Sequence, residues 1–168
     1  MSIAVREESE ADASAVCDVN ERAFGTPLEA GIVNALRGSE GSISLVATDG
    51  DRVVGHILFT PVTVESGAGV RVAGLAPMAV LPEHQRAGIG SRLVRAGLDA
   101  CRRRGYAAVV VLGHPEYYPR FGFTRADAHG LSCEFPVPPE AFMVLGFDPE
   151  ILARLSGTVR YRPEFAEG

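Results

Sequence analysis

The chain has no lysine, and all 16 residues counted as lysine or arginine are arginine. That excludes a phosphate loop ending in Gly-Lys-Ser/Thr, whose ammonium group must reach the phosphates. Cysteine is scarce: Cys17, Cys101 and Cys133 are odd in number, widely separated and form no Cys-x-x-Cys pair. A zinc site or a disulfide framework therefore has no pattern to rest on. The 4 histidines are scattered, so no metal is expected. No apolar run approaches ~18 residues, which excludes an ordinary membrane-spanning helix. Residues 1–6 lack the long apolar stretch of a signal peptide, so the cytoplasm is the expected compartment. An excess of positive charge is missing as well. A net charge of −5 argues against a general nucleic-acid or anionic-membrane surface. Repeats, low-complexity tracts and linkers are absent. What remains, 46% hydrophobic and 22% charged over 168 residues, is the composition of a single globular domain, residues 1–168.

The most informative stretch runs from Leu75 to Phe123. An apolar strand, Leu75-Ala76-Pro77-Met78-Ala79-Val80-Leu81, turns at Pro82-Glu83-His84 and enters Gln85-Arg86-Ala87-Gly88-Ile89-Gly90-Ser91. A helical pattern follows without a break to Arg104-Gly105. Glycines between a strand and a helix let the backbone approach an anion, and the helix start offers N–H groups and a positive dipole end. The dinucleotide fingerprint needs a third glycine three residues after the second, where this chain has Leu93. Local charge favours an anionic ligand despite the acidic total. Arg86 sits inside the loop, whereas Arg102, Arg103 and Arg104 read as a solvated helix face.

Taken in order, residues 3–6 alternate as a first strand, and Ser9 offers an N-cap ahead of a helix. Gly25-Thr26-Pro27 breaks that helix and starts a second, with Thr26 as N-cap and Pro27 as N1, over residues 29–37. Strands follow at 43–48 and 52–65 around an Asp49-Gly50-Asp51 hairpin, with Gly55 and Pro61 suggesting a bend or bulge near the middle of the longer one. A turn at 66–69 leads to a strand at 70–81. The helix over 88–104 has an apolar stripe of Ile89, Leu93, Ala96, Gly97, Ala100 and Cys101, and Gly97 points to close packing. The strand at 107–112 should run parallel to its predecessor. Residues 130–139, rich in proline, read as a loop. A strand at 141–147, a short helix capped by Asp148 and a strand at 158–161 complete the chain. The expectation is an α/β architecture, α+β by some schemes: a mixed, mostly antiparallel central sheet with helices on both faces.

The Gln-x-x-Gly-x-Gly segment between strand and helix resembles the pyrophosphate-binding motif of the GNAT acyltransferase superfamily. After the strand Val109-Val110-Val111-Leu112-Gly113, the run Tyr117-Tyr118-Pro119-Arg120-Phe121-Gly122-Phe123 resembles that family's Tyr-x-x-x-Gly-Phe ending. The wording of residues 76–83 and 156–161 is similar to one bacterial branch of it. The resemblance implies a GNAT fold and an acetyltransferase using acetyl-CoA (coenzyme A). Its loop residues Gln85, Arg86, Ala87, Gly88, Ile89, Gly90 and Ser91 would hold the pyrophosphate. Met78, Ala79 and Val80 would pair with the pantetheine arm, and His114, Tyr117, Tyr118 and Phe121 would lie near the cofactor. It also implies that the Val80 N–H serves the oxyanion and that Tyr118 protonates the leaving thiolate, with Tyr117 as its competitor. No Asp or Glu stands in the strand at 70–81. The base is left among Glu29, on the second helix where the family builds its acceptor wall, His56, and water. Implied partners are a small-molecule or peptide amine, with a homodimer admitted and no nucleic acid or membrane. A protein that binds acyl-CoA as a sensor, without turnover, fits the same residues.

Overall fold

The computed structural model describes residues 2–166. Its chain gathers into two compact units, one of Met1–Phe59, Pro77–Gly97 and Pro163–Gly168, the other of Thr60–Ala76 and Leu98–Arg162.

In the first unit, strand β1 (Ile3–Glu7) pairs antiparallel with β2 (Ile43–Asp49), which pairs antiparallel with β3 (Arg52–Ser66). The β2–β3 hairpin closes at Asp49↔Arg52 over the two-residue turn Gly50-Asp51, whose first position needs the positive φ that Gly50 supplies at 60°. Helix α1 (Ala13–Phe24) is entered through a box at Ser9. The Ser9 N–H and hydroxyl both donate to Asp12 Oδ2, at 2.7 and 3.0 Å. Arg6 clamps the same carboxylate with bonds of 2.6 and 2.9 Å and holds its pKa far below the usual carboxylate range. Gly25, left-handed at φ 76°, ends α1, and its N–H donates to Glu21 O. Helix α2 (Leu28–Leu36) starts one residue later than the expected first position at Pro27, so the cap falls on Pro27 and not on Thr26. Thr26 Oγ1 accepts from the Leu28 N–H at 3.4 Å.

The core of this unit is apolar and close. Val16, Val19, Val33, Leu36, Ile57 and Phe59 are buried, as are Ile89, Leu93 and Val94 of helix α3 (Ile89–Arg103). The sequence-predicted tight approach at Gly97 is present: a Cβ there would overlap the Phe59 ring. Gly55 has the same kind of cause. A Cβ would press Leu93 and Ile89 at 3.1 and 3.3 Å, and the bulge expected near this glycine is present beside it: Val54 of β3 is the extra residue between the pairs Ala47↔Gly55 and Thr48↔Val53.

The second unit is built on β4 (Val72–Val80), whose first half pairs parallel with β5 (Ala108–Leu112) from Val72↔Ala108 to Leu75↔Val111. The antiparallel strands β8 (Phe142–Gly146) and β6 (Thr124–Arg125) extend it as β5-β8-β6. The end of β3 pairs antiparallel with β9 (Ser156–Arg160), and β9 pairs in parallel with β7 (Leu131–Cys133). Strand β7 falls in the stretch expected to be a loop. Three residues carry too little alternation to register as a strand, and what fixes them is tertiary: Leu131 is 2% exposed against β9. Among the described residues the elements are nine strands, paired both antiparallel and parallel, and three α-helices. No helix among the described residues is long and apolar enough to cross a membrane.

Candidate functional site

The loop before α3 is pinned on its strand side. The Leu81 N–H donates to Val54 O at 2.9 Å, and a single 3-10 turn, Pro82–His84, follows. Glu83 accepts from Arg22 and Arg52 at 3.0 and 3.1 Å, and His84 Nε2 lies 3.6 Å from Asp49. Gln85, the first motif residue, folds its side chain back, donating from Nε2 to Val80 O at 3.0 Å. The backbone then turns through two left-handed residues, Arg86 at φ 64° and Gly88 at φ 81°. Among the described residues Arg86 is the one non-glycine with positive φ. Alternating left-handed geometry turns successive N–H groups to a common side, which makes an anion-binding hollow. The ladder of α3 is entered by the Arg92 N–H, bonded to Gly88 O at 3.1 Å. Among the described residues the N–H groups of Arg86, Ala87, Gly88, Ile89 and Gly90 donate to no backbone carbonyl. A Cβ placed on Gly88 would meet nothing within 4 Å, so the hollow is open at that point. Ser91 follows within the first turn of α3.

Immediately upstream, Met78 and Val80 are half-buried and Ala79 is buried. The β4–β5 ladder stops at Leu75↔Val111, one residue before Ala76-Pro77. Pro77 has no N–H to donate and suits a strand that leaves its neighbour there.

In the second unit, Tyr118 opens a 3-10 turn (Tyr118–Phe121) that Gly122, at φ 103°, ends. His114 is exposed, and its carbonyl accepts from the N–H groups of Tyr117 and Tyr118 at 3.1 and 3.4 Å. The Tyr118 ring fills the space a side chain on Gly113 would take. It meets Tyr117 and Phe123 edge-on, with centroids 5.1 and 5.7 Å away, and it is 6% exposed. Burial pushes its phenol up to about 12, so it holds its proton throughout the neutral range. Tyr117 is half-buried, with the Arg120 guanidinium 4.6 Å from its ring centre and Phe121 5.2 Å away.

The two side-chain candidates for a base fare differently. Glu29 is half-buried in the first turn of α2, and its Oε1 accepts from Thr26 Oγ1 at 3.1 Å. His56 is 0% exposed, and both its ring nitrogens are engaged. Asn20 Nδ2 donates to Val16 O at 3.0 Å, which sets the amide and points the same NH₂ at His56 Nδ1, 3.2 Å away. Nδ1 is therefore the acceptor, and Nε2–H donates to Ser44 Oγ at 2.8 Å. Ser44 donates onward to Glu8 at 2.6 Å, and Arg37 Nε donates to the other oxygen of Glu8 at 3.0 Å. Burial, with Arg37 adding to it, lowers His56 to about 3. This corrects the expectation that His56 could serve as a base: it is a sealed link tying α1 to the sheet. Asn20, Ser44, Glu8 and Arg37 gave no sequence signal, because their partners lie 12 to 36 residues away. No group of three or more His, Cys, Asp or Glu among the described residues is placed to hold a metal ion.

Comparison with known proteins follows the same lines. A family model described as an acetyltransferase (GNAT) domain matches residues 4–126. The chain is 38% identical over 164 residues to the uncharacterized N-acetyltransferase YhbS of Escherichia coli K12, covering 96% of this chain and 97% of that one. It is 42% identical over 134 residues to N-acetyltransferase YjhQ of the same organism, covering 77% and 74%. Its fold matches the crystal structure of E. coli YhbS in complex with CoA at a TM-score of 0.91 and 37% identity, over 98% and 92% of the two chains. A GNAT acetyltransferase from Brucella melitensis in complex with acetyl-CoA gives 0.79 and 34%, over 98% of each. With the glycine loop, the strand end before it and these likenesses in agreement, the chain belongs to the GNAT family of N-acetyltransferases.

Proposed function

We propose that the protein is an acetyl-CoA-dependent N-acetyltransferase, acting as one domain, that moves an acetyl group from the thioester to a primary amine. The observation that carries this reading is the left-handed turn at Arg86 and Gly88, which gathers N–H groups at the start of α3. That hollow suits a diphosphate, with Gln85 through Ser91 as its frame. CoA and acetyl-CoA in the crystals of two relatives support the same ligand. Met78, Ala79 and Val80 then offer backbone to the pantetheine amides as an added strand would. His114, Tyr117 and Phe121 complete the set of residues assigned to the donor.

The chemistry needs no covalent enzyme intermediate. The amine nitrogen attacks the carbonyl carbon, the C–S bond breaks, the sulfur takes a proton and the nitrogen loses one. We assign the Val80 N–H to the developing oxyanion and the Tyr118 O–H to the sulfur. Glu29 receives the nitrogen's proton, directly or through water. One observation favours a second reading, an acyl-CoA sensor without turnover: the histidine candidate is sealed, leaving Glu29 as the side-chain base. Thiol release from acetyl-CoA across a library of amines decides between them. CoA release with at least one amine is expected, and tight binding without release from any would favour the sensor. Acetyl-CoA at ~100 times its dissociation constant should add ~2.7 kcal/mol of apparent stability in a thermal melt, with ATP and NAD adding none. Equal shifts with ATP, or none with any CoA species, would remove the assignment.

A further inference from the structure

We infer that Arg86 recognises the ribose phosphate monoester of CoA and so sets a preference for CoA over its dephosphorylated form. The inference rests on the CoA reading above but concerns a group of the ligand which that reading leaves unassigned. Arg86 holds φ 64°, a conformation that L side chains rarely adopt and that glycine adopts without strain. Glycine already stands two residues on, at Gly88, so the turn itself does not call for arginine. The side chain must contribute what the backbone conformation costs.

That contribution is an uncommitted positive charge. The cations around the loop in this unit are otherwise occupied. Arg22 and Arg52 are bound to Glu83, and Arg92 Nη1 donates to Ile3 O at 2.8 Å. Arg95 is engaged as well. Arg86 is exposed and, among the described residues, has no ion-pair or hydrogen-bond partner for its guanidinium. The diphosphate of the ligand is served by the N–H groups of Arg86 to Gly90 and the α3 dipole. The remaining anion of CoA is a monoester carrying close to two charges. A guanidinium fork donates two parallel hydrogen bonds to two phosphate oxygens, a geometry that a lysine ammonium does not match. Dephospho-CoA keeps the diphosphate and loses only that monoester, so it isolates the contact.

The test is calorimetric titration of wild type and Arg86→Gly with CoA and with dephospho-CoA, plus thermal melts of both proteins without ligand. Wild type should bind CoA about fivefold to tenfold tighter than dephospho-CoA, with the gap narrowing at high salt. Arg86→Gly should bind the two ligands equally, with its dephospho-CoA affinity within about twofold of wild type. Without ligand it should melt at the same temperature as wild type or higher, because the left-handed strain is gone. A variant that loses affinity equally for both ligands would overturn the inference and move the guanidinium to the diphosphate. Equal affinities in wild type would also overturn it. Wild type that binds neither ligand would instead remove the CoA reading on which the inference stands.

Discussion

His56 and Tyr118 are two of the side chains to which a sequence reading assigns proton chemistry, His56 beside Glu29 as a candidate base and Tyr118 as the acid. Both are buried, at 0% and 6% exposure, yet burial has opposite consequences for them. Removing water disfavours whichever form carries charge. For the imidazole that form is the protonated one, so His56 falls to about 3 and is a poor proton acceptor at neutral pH. For the phenol it is the ionised one, so Tyr118 rises to about 12 and keeps the proton it would donate. The surroundings sharpen the contrast. His56 spends both nitrogens on Asn20 and Ser44, whereas Tyr118 is packed by rings and by the bare backbone of Gly113. A dry site thus disarms a base and preserves an acid.

The strongest way to break this comparison is to remove the phenol. Tyr118→Phe keeps the ring packing and should lower turnover by about 10²–10⁴-fold with CoA affinity nearly unchanged. Tyr117→Phe makes the same chemical change on its half-exposed neighbour and should leave turnover close to wild type. Thiol release with an active amine, or the slow hydrolysis of acetyl-CoA, measures both. Full turnover in Tyr118→Phe would mean that the preserved proton is not used.

The histidine half is tested by acid. The unfolded chain takes up a proton near ~6.5, whereas folded His56 does so only near 3, so protonation favours the unfolded state across that interval. Stability should fall as pH drops from about 6.5 towards 3, by up to roughly 4–5 kcal/mol from this one group. His56→Gln, neutral at every pH, should flatten that part of the profile in urea unfolding while leaving turnover per folded molecule unchanged. If His56→Gln abolishes turnover in a protein that still folds and binds CoA, the imidazole is working as the base after all.

The smallest effect separates the two loop glycines, which the motif treats alike. Gly90→Val should weaken CoA binding with unfolding free energy changed by less than about 1 kcal/mol, because φ at residue 90 is not in the left-handed region. Gly88→Val should weaken binding and also cost about 1–2 kcal/mol of stability, since φ 81° strains any side chain with a Cβ. Denaturation curves beside CoA titrations distinguish them. Identical stabilities for the two variants would show that the left-handed turn is not maintained in solution.

Much of the fold was legible because its signals were local. The Asp-Gly hairpin, the Ser9 and Asp148 caps, the Gly25 stop and the glycine loop each depend on residues a few positions apart. In each case the structure has the expected feature within a residue or two. Gly97 was legible as a packing site, though its partner Phe59 was not. Short strands escaped, because β6 and β7 are made by their neighbours rather than by their own pattern. The chain from Asn20 through His56 and Ser44 to Glu8 and Arg37 escaped for a related reason. A polar residue in a strand looks the same whether it faces water or a buried partner 36 residues away. Arg86 was legible as a phosphate candidate, but nothing in an arginine announces a left-handed backbone.

The fit of Tyr118 over Gly113 has a consequence for how this chain can change over generations. Any residue with a Cβ at 113 would take the volume the ring occupies, so the two positions cannot drift independently. A lineage that acquires alanine at 113 must first find a smaller residue at 118, and in doing so gives up the phenol. The bare backbone five residues upstream therefore acts as a historical lock: descendants that keep the tyrosine inherit the glycine with it.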